Sequence, residues 1–142
     1  MAHRLPLAPR SVRWALVALV AATILLLSVT RSPDLARVTG PLGLVGSDKW
    51  LHAGAYAGLA AVLAYALAEQ PAGRAALLVF LAAVAFGLVV EVIQFGIPYR
   101  DFSLLDGVAD AAGATLVAVS WRVVGPHLRV RRISGARSRR EQ

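Results

Sequence analysis

The chain has 142 residues, 58% of them hydrophobic and 16% charged, with a net charge of +7 and no cysteine. That length suits one domain, but a soluble domain of this size has too much surface to hide so much apolar area, and disorder over most of the chain is excluded by the same hydrophobicity. Without cysteine there are no disulfides, thiolate metal ligands or Cys nucleophile.

The charge is unevenly spread. Residues 127–142 carry six Arg, while the middle of the chain is nearly neutral. A basic tail on an apolar body fits a membrane protein whose tail meets anionic lipid. The tail lacks aromatic residues, so no nucleic-acid partner is expected.

Four apolar stretches follow in chain order: Trp14–Thr30, Trp50–Ala68, Ala75–Ile97 and Ser103–Val124. At a rise of about 1.5 Å per residue each can cross a bilayer core about 30 Å thick. They predict an all-α, polytopic membrane protein with four transmembrane helices in a compact bundle. Residues 31–47 hold Pro33, Gly40, Pro41, Gly43 and Gly46 and read as a loop. Pro71 and Gly73 mark a tight turn, Pro98 ends the third helix, and Gly125 with Pro126 ends the fourth. No small-x-small cleavage site precedes Arg31, so the first helix is read as a retained anchor.

Four spans put both termini on one side. That side carries Arg4, Arg10, Arg13, Arg74 and the tail arginines; the other carries Arg31, Arg37, Lys49 and Arg100. The excess marks the cytoplasmic side. The expected organisation is a cytoplasmic segment over 1–13, a transmembrane domain over 14–125 and a basic cytoplasmic tail over 126–142.

The polar residues within the spans gather at one depth, the outer ends of three helices. Asp48, Lys49, His52 and Tyr56 open the second helix, Glu91 and Gln94 close the third, and Asp106 and Asp110 open the fourth. Arg100 and Asp101 lie in the loop between the last two. Spacings of three and four place each set on one helix face. Such residues cost about 2.5–3.5 kcal/mol each at the bilayer centre, and by default they mark function.

Structural roles compete with that reading. Asp48 can cap the second helix, Ser103 and Asp106 fit a capping box, and Tyr56 fits an interfacial aromatic belt. Glu91 with Arg100, or Asp110 with Lys49, can be structural ion pairs. Capping does not explain Glu91 and Asp110. The acids outnumber Lys49 and Arg100, so a proton, a cation or a cationic substrate group can fill the deficit. Gly54 and Gly58 form Gly-x-x-x-Gly in the second helix, and Ala109 and Gly113 are spaced alike in the fourth, a signal for close helix packing.

Together these residues resemble the VanZ-like family of small bacterial membrane proteins. The resemblance rests on Asp48-Lys49-x-x-His52-x-x-x-Tyr56, Glu91-x-x-Gln94, Pro98-x-Arg100, Asp106 and Gly113-Ala114, over roughly residues 40–125. It departs from the family pattern at Asp110, where Asn is usual, and at Val117, where a small residue is usual. The resemblance implies a protein of the bacterial cytoplasmic membrane. It also implies an association with low-level teicoplanin resistance, through the family's namesake, but no established reaction.

Three functions compete. One is a non-enzymatic envelope factor binding a lipid-linked cell-wall precursor or a glycopeptide at the outer leaflet through Glu91, Gln94, Arg100 and Asp106. Another is an intramembrane hydrolase acting on a lipid head group, with His52 as base and Glu91, Asp106 and Asp110 sharing a proton or holding a divalent cation. The third is proton- or ion-coupled transport, although no polar relay continues into the inner half. No resident cofactor is expected, and the oligomeric state is open.

Overall fold

The computed structural model describes residues 3–30, 39–41, 43, 46–99 and 103–132. The architecture is all-helical: α1 (Arg10–Val29), α2 (Ser47–Ala66), α3 (Ala72–Phe95) and α4 (Leu104–Val124). Strand β1 (His3–Leu7) precedes them, and a short 3-10 turn (Gly125–His127) and strand β2 (Leu128–Arg132) follow.

Each helix covers one of the apolar stretches, with shifted ends. The start of α1 at Arg10 takes in Arg13, and the start of α2 at Ser47 takes in Asp48 and Lys49. Pro9 and Pro71 stand just before α1 and α3, where the missing N–H removes no intrahelical bond. Ser103 caps α4, its hydroxyl accepting from Asp106 N at 3.3 Å, as the capping box predicts.

Three helical segments are long and apolar enough to cross a membrane: Arg10–Val29, Ala72–Phe95 and Leu104–His127. The polar head and the glycines of α2 leave it outside that set. Large apolar side chains, among them Leu19, Leu26, Leu88, Val92, Phe95, Leu104 and Leu116, are exposed. Leucines this exposed suit lipid rather than water as the surrounding medium.

α4 packs against both α2 and α3, and α1 lies against α2 and α3. The core is made of small residues: Ala60, Ala64, Ala76, Ala83, Ala114 and Ala118 are buried with Tyr56, Leu59, Leu63 and Val79. Small side chains let helix backbones approach. The tightest approach is at Gly113, where an added Cβ would meet the backbone of Ala53 and Ala57 in α2.

The small-residue pattern of α2 acts differently from its expected role. Nothing lies within 4 Å of a Cβ added at Gly54 or Gly58. The close packing therefore comes from the Gly113 side of the α2–α4 contact, while Gly54 and Gly58 face outward.

A two-stranded parallel ribbon joins β1 to β2, its register running from His3 beside Leu128 to Leu7 beside Arg132. Residues 128–132 thus form a strand inside the segment expected to be the basic tail. Register sets Leu5 beside Val130, and Leu7 is fully buried. Burial of Leu7 stabilises the ribbon.

Candidate functional site

The predicted polar residues of α2 and α4 converge at one end of the molecule. Lys49 forms ion pairs with both Asp48 and Asp106, tying the first turns of α2 and α4 together. One turn deeper, His52 Nδ1 lies 2.9 Å from Asp110 Oδ1, and His52 Nε2 lies 3.7 Å from Asp106 Oδ2. Spacings of i, i+3 from Lys49 to His52 in α2 and i, i+4 from Asp106 to Asp110 in α4 make this two-rung ladder possible.

Several sequence alternatives are resolved by these contacts. Asp110 pairs with His52 and not with Lys49. Asp48 is not the N-cap of α2, a position held by Gly46, but an acid in the first turn of that helix, where the helix dipole favours it. Tyr56 is 2% exposed, so it is a packed residue rather than part of an interfacial belt. Its ring leans on Phe86 of α3, with centroids 6.1 Å apart.

The third helix contributes unevenly. Glu91 is half-buried and lies within electrostatic range of His52, Asp106 and Asp110. Gln94 does not join it: its Nε2 donates to the Ser28 carbonyl of α1 at 3.0 Å. Tyr99 likewise donates to the Val29 carbonyl at 2.9 Å. Gln94 and Tyr99 therefore bind the C-terminal end of α1, a helix whose apolar sequence announces no such attachment. Arg100 and Asp101 lie outside the described residues.

Gly87, absent from the sequence-based candidates, belongs to the site. A Cβ at this position would lie 3.2 Å from Tyr56 Cε1, 3.4 Å from Tyr56 Oη and 3.6 Å from Asp110 Oδ2. Its signal was available: Gly87 stands four residues before Glu91, on the same face of α3.

A second polar arrangement, also unannounced, lies at the opposite ends of the helices. Arg13 is 2% exposed; its Nη1 donates to the Ala66 carbonyl at 2.9 Å and its Nη2 pairs with Glu69 at 2.6 Å. A cation is thereby set on the last carbonyls of α2, where the helix dipole favours it. Tyr65 adds to the lock, donating to Pro6 O at 3.0 Å and accepting from Ala8 N at 2.9 Å.

Chemically, the ladder offers a histidine oriented by a carboxylate and a lysine held between two more, with the Glu91 carboxylate beside them. Among the described residues, no three His, Asp or Glu side chains are arranged to hold a metal ion. No known family model, curated protein or solved structure matches the chain.

Proposed function

We propose that this chain is a VanZ-like protein of the bacterial cytoplasmic membrane, crossing it four times with both termini inside. In this reading it is a non-enzymatic envelope factor that binds a lipid-linked or glycopeptide molecule at the outer leaflet. The observation that carries the reading is the ladder Lys49–Asp48/Asp106 and His52–Asp110, with Glu91 beside it, gathered at one end of the helices. Ionisable groups at membrane depth are costly and are concentrated at sites of function. Their position at helix ends gives access from the membrane–water interface, where the head group of a lipid-linked molecule lies. Teicoplanin resistance is the phenotype that the family resemblance attaches to such a site.

The test is teicoplanin and vancomycin susceptibility of a deletion strain complemented with wild type, Glu91→Gln or Asp106→Asn at matched membrane levels. Wild type is expected to restore a teicoplanin phenotype that the two variants do not. Equal restoration by all three proteins would leave the ladder a structural device and overturn the reading.

One contact favours a second reading, an intramembrane hydrolase. Asp110 holds Nδ1 of His52, as a carboxylate does when it orients a histidine general base. Turnover of a lipid head group by the purified full chain, abolished by His52→Gln, would establish that reading in place of the first.

A further inference from the structure

The end of the molecule opposite the ladder carries an excess of positive charge. Arg10, Arg74, Arg122 and Arg131 are exposed there and form no ion pair with the described residues. Among the described residues Glu69 is the one acid at that end, and its carboxylate lies 2.6 Å from Arg13. Strands β1 and β2 bring Arg4, Arg129 and Arg132 to the same end, which the bonds of Tyr65 to Pro6 and Ala8 hold against α2.

Two of the exposed cations meet although they lie far apart in the sequence. The Cβ position of Gly73 is 3.1 Å from Arg122 Cζ. The missing side chain leaves room for the guanidinium of α4 to lie across the first turn of α3, the turn that carries Arg74. No acid stands in that turn and no side chain caps it. The dipole of α4 suits Arg122 in its last turn, whereas the dipole of α3 repels Arg74 in its first. Like charges so placed repel, and an anion supplied from outside relieves them.

The surroundings say which anion. Leu77 and Leu78 stand one turn after Arg74, Val123 and Val124 follow Arg122, and Trp14 stands one turn after Arg10; all five are exposed. Cations and tryptophan at the edge of an apolar surface belong at the head-group level of a bilayer. A soluble polyanion would satisfy the charge and leave the apolar surface in water.

We propose that Arg74 and Arg122, with the exposed apolar side chains beside them, form a docking surface for an anionic phospholipid. The phosphate faces the two guanidiniums, and the acyl chains run along Leu77, Leu78 and Val123. The surface is built on folded helices, so it adds to any attraction that the basic tail exerts on the same leaflet. It rests on the chain's place in a membrane and on no property of the ladder.

The experiment titrates the full chain, in a non-ionic detergent, with short-chain phosphatidylglycerol and with the matched phosphatidylcholine, binding being followed by native mass spectrometry. Wild type is expected to prefer phosphatidylglycerol. Arg74→Gln and Arg122→Gln are each expected to weaken phosphatidylglycerol binding about fivefold, the worth of one arginine near an anionic surface. Phosphatidylcholine binding should stay unchanged, which also shows that these exposed, unpaired positions tolerate glutamine. Raising the salt from about 0.1 M to about 1 M, which shortens the screening length from about 10 Å to about 3 Å, should erase the preference of wild type.

Equal binding of the two lipids by wild type overturns the proposal. So does a preference that survives both substitutions together, since the tail would then be its whole source. Displacement of the lipid by free glycerol phosphate at equal concentration would make the partner a small anion and overturn the assignment to lipid. Neither arginine lies at the ladder, so each of these failures leaves the envelope-factor reading standing, and loss of that reading leaves the docking surface intact.

Discussion

Gly113 of α4 lies so close to Ala53 of α2 that an added Cβ would fall 2.9 Å from the Ala53 carbonyl carbon and 3.0 Å from the Ala57 nitrogen. Both neighbours are helix backbone and cannot swing aside. Gly113→Ala must therefore push the two helices apart, costing about 1–3 kcal/mol as overpacking does. The same change at Gly58, where nothing lies within 4 Å, is expected to stay within about 0.5 kcal/mol of wild type. Thermal unfolding of both variants in one detergent checks the contrast, and equal losses would contradict the packing described.

That pair of helices also sets the geometry of the ladder, because separating α2 from α4 separates His52 from Asp110. A double-mutant cycle on His52→Ala and Asp110→Ala should show a coupling of about 0.5–3 kcal/mol, the range for residues in one hydrogen-bonded network. Additive losses in chemical unfolding would mean that the 2.9 Å contact contributes nothing to stability.

Glu91 and Gln94 share a helix face by spacing but divide their work in the structure. Gln94→Ala removes the bond to the Ser28 carbonyl and should loosen α1, lowering stability by about 0.5–1.5 kcal/mol. It should still restore the proposed teicoplanin phenotype. Glu91→Gln should do the opposite, failing to restore that phenotype with little change in stability. Melting curves and the susceptibility of the complemented strains separate these effects, and parallel behaviour would show that the two residues act together after all.

The helices were legible because apolar runs of bilayer length, bounded by proline and glycine, leave few other structures open. The ladder was legible for a related reason, since i, i+4 spacing fixes a face and rare polar residues on that face must find one another. Partner choice was not. Whether Asp110 meets Lys49 or His52 depends on the axial offset of α2 and α4, which the Gly113 contact sets and no local pattern encodes. The β1–β2 ribbon was hidden because its strands lie far apart in the sequence, with no turn between them to announce the pairing. Arg13 was counted only as a charge, because its function as a cap depends on the end of another helix.

That cap makes Arg13 the strictest test of the end opposite the ladder. Its guanidinium reaches the Ala66 carbonyl and Glu69 at once, which the single ammonium of lysine cannot do in the same planar geometry. Arg13→Lys should therefore lower stability by about 1–3 kcal/mol, although charge is conserved. Arg10→Lys, at an exposed position on the same helix, should be nearly silent. If thermal unfolding finds the two substitutions alike, Arg13 serves only as a charge. If they differ as expected, the residue that the four-span reading uses to orient α1 also fastens that helix to the end of α2.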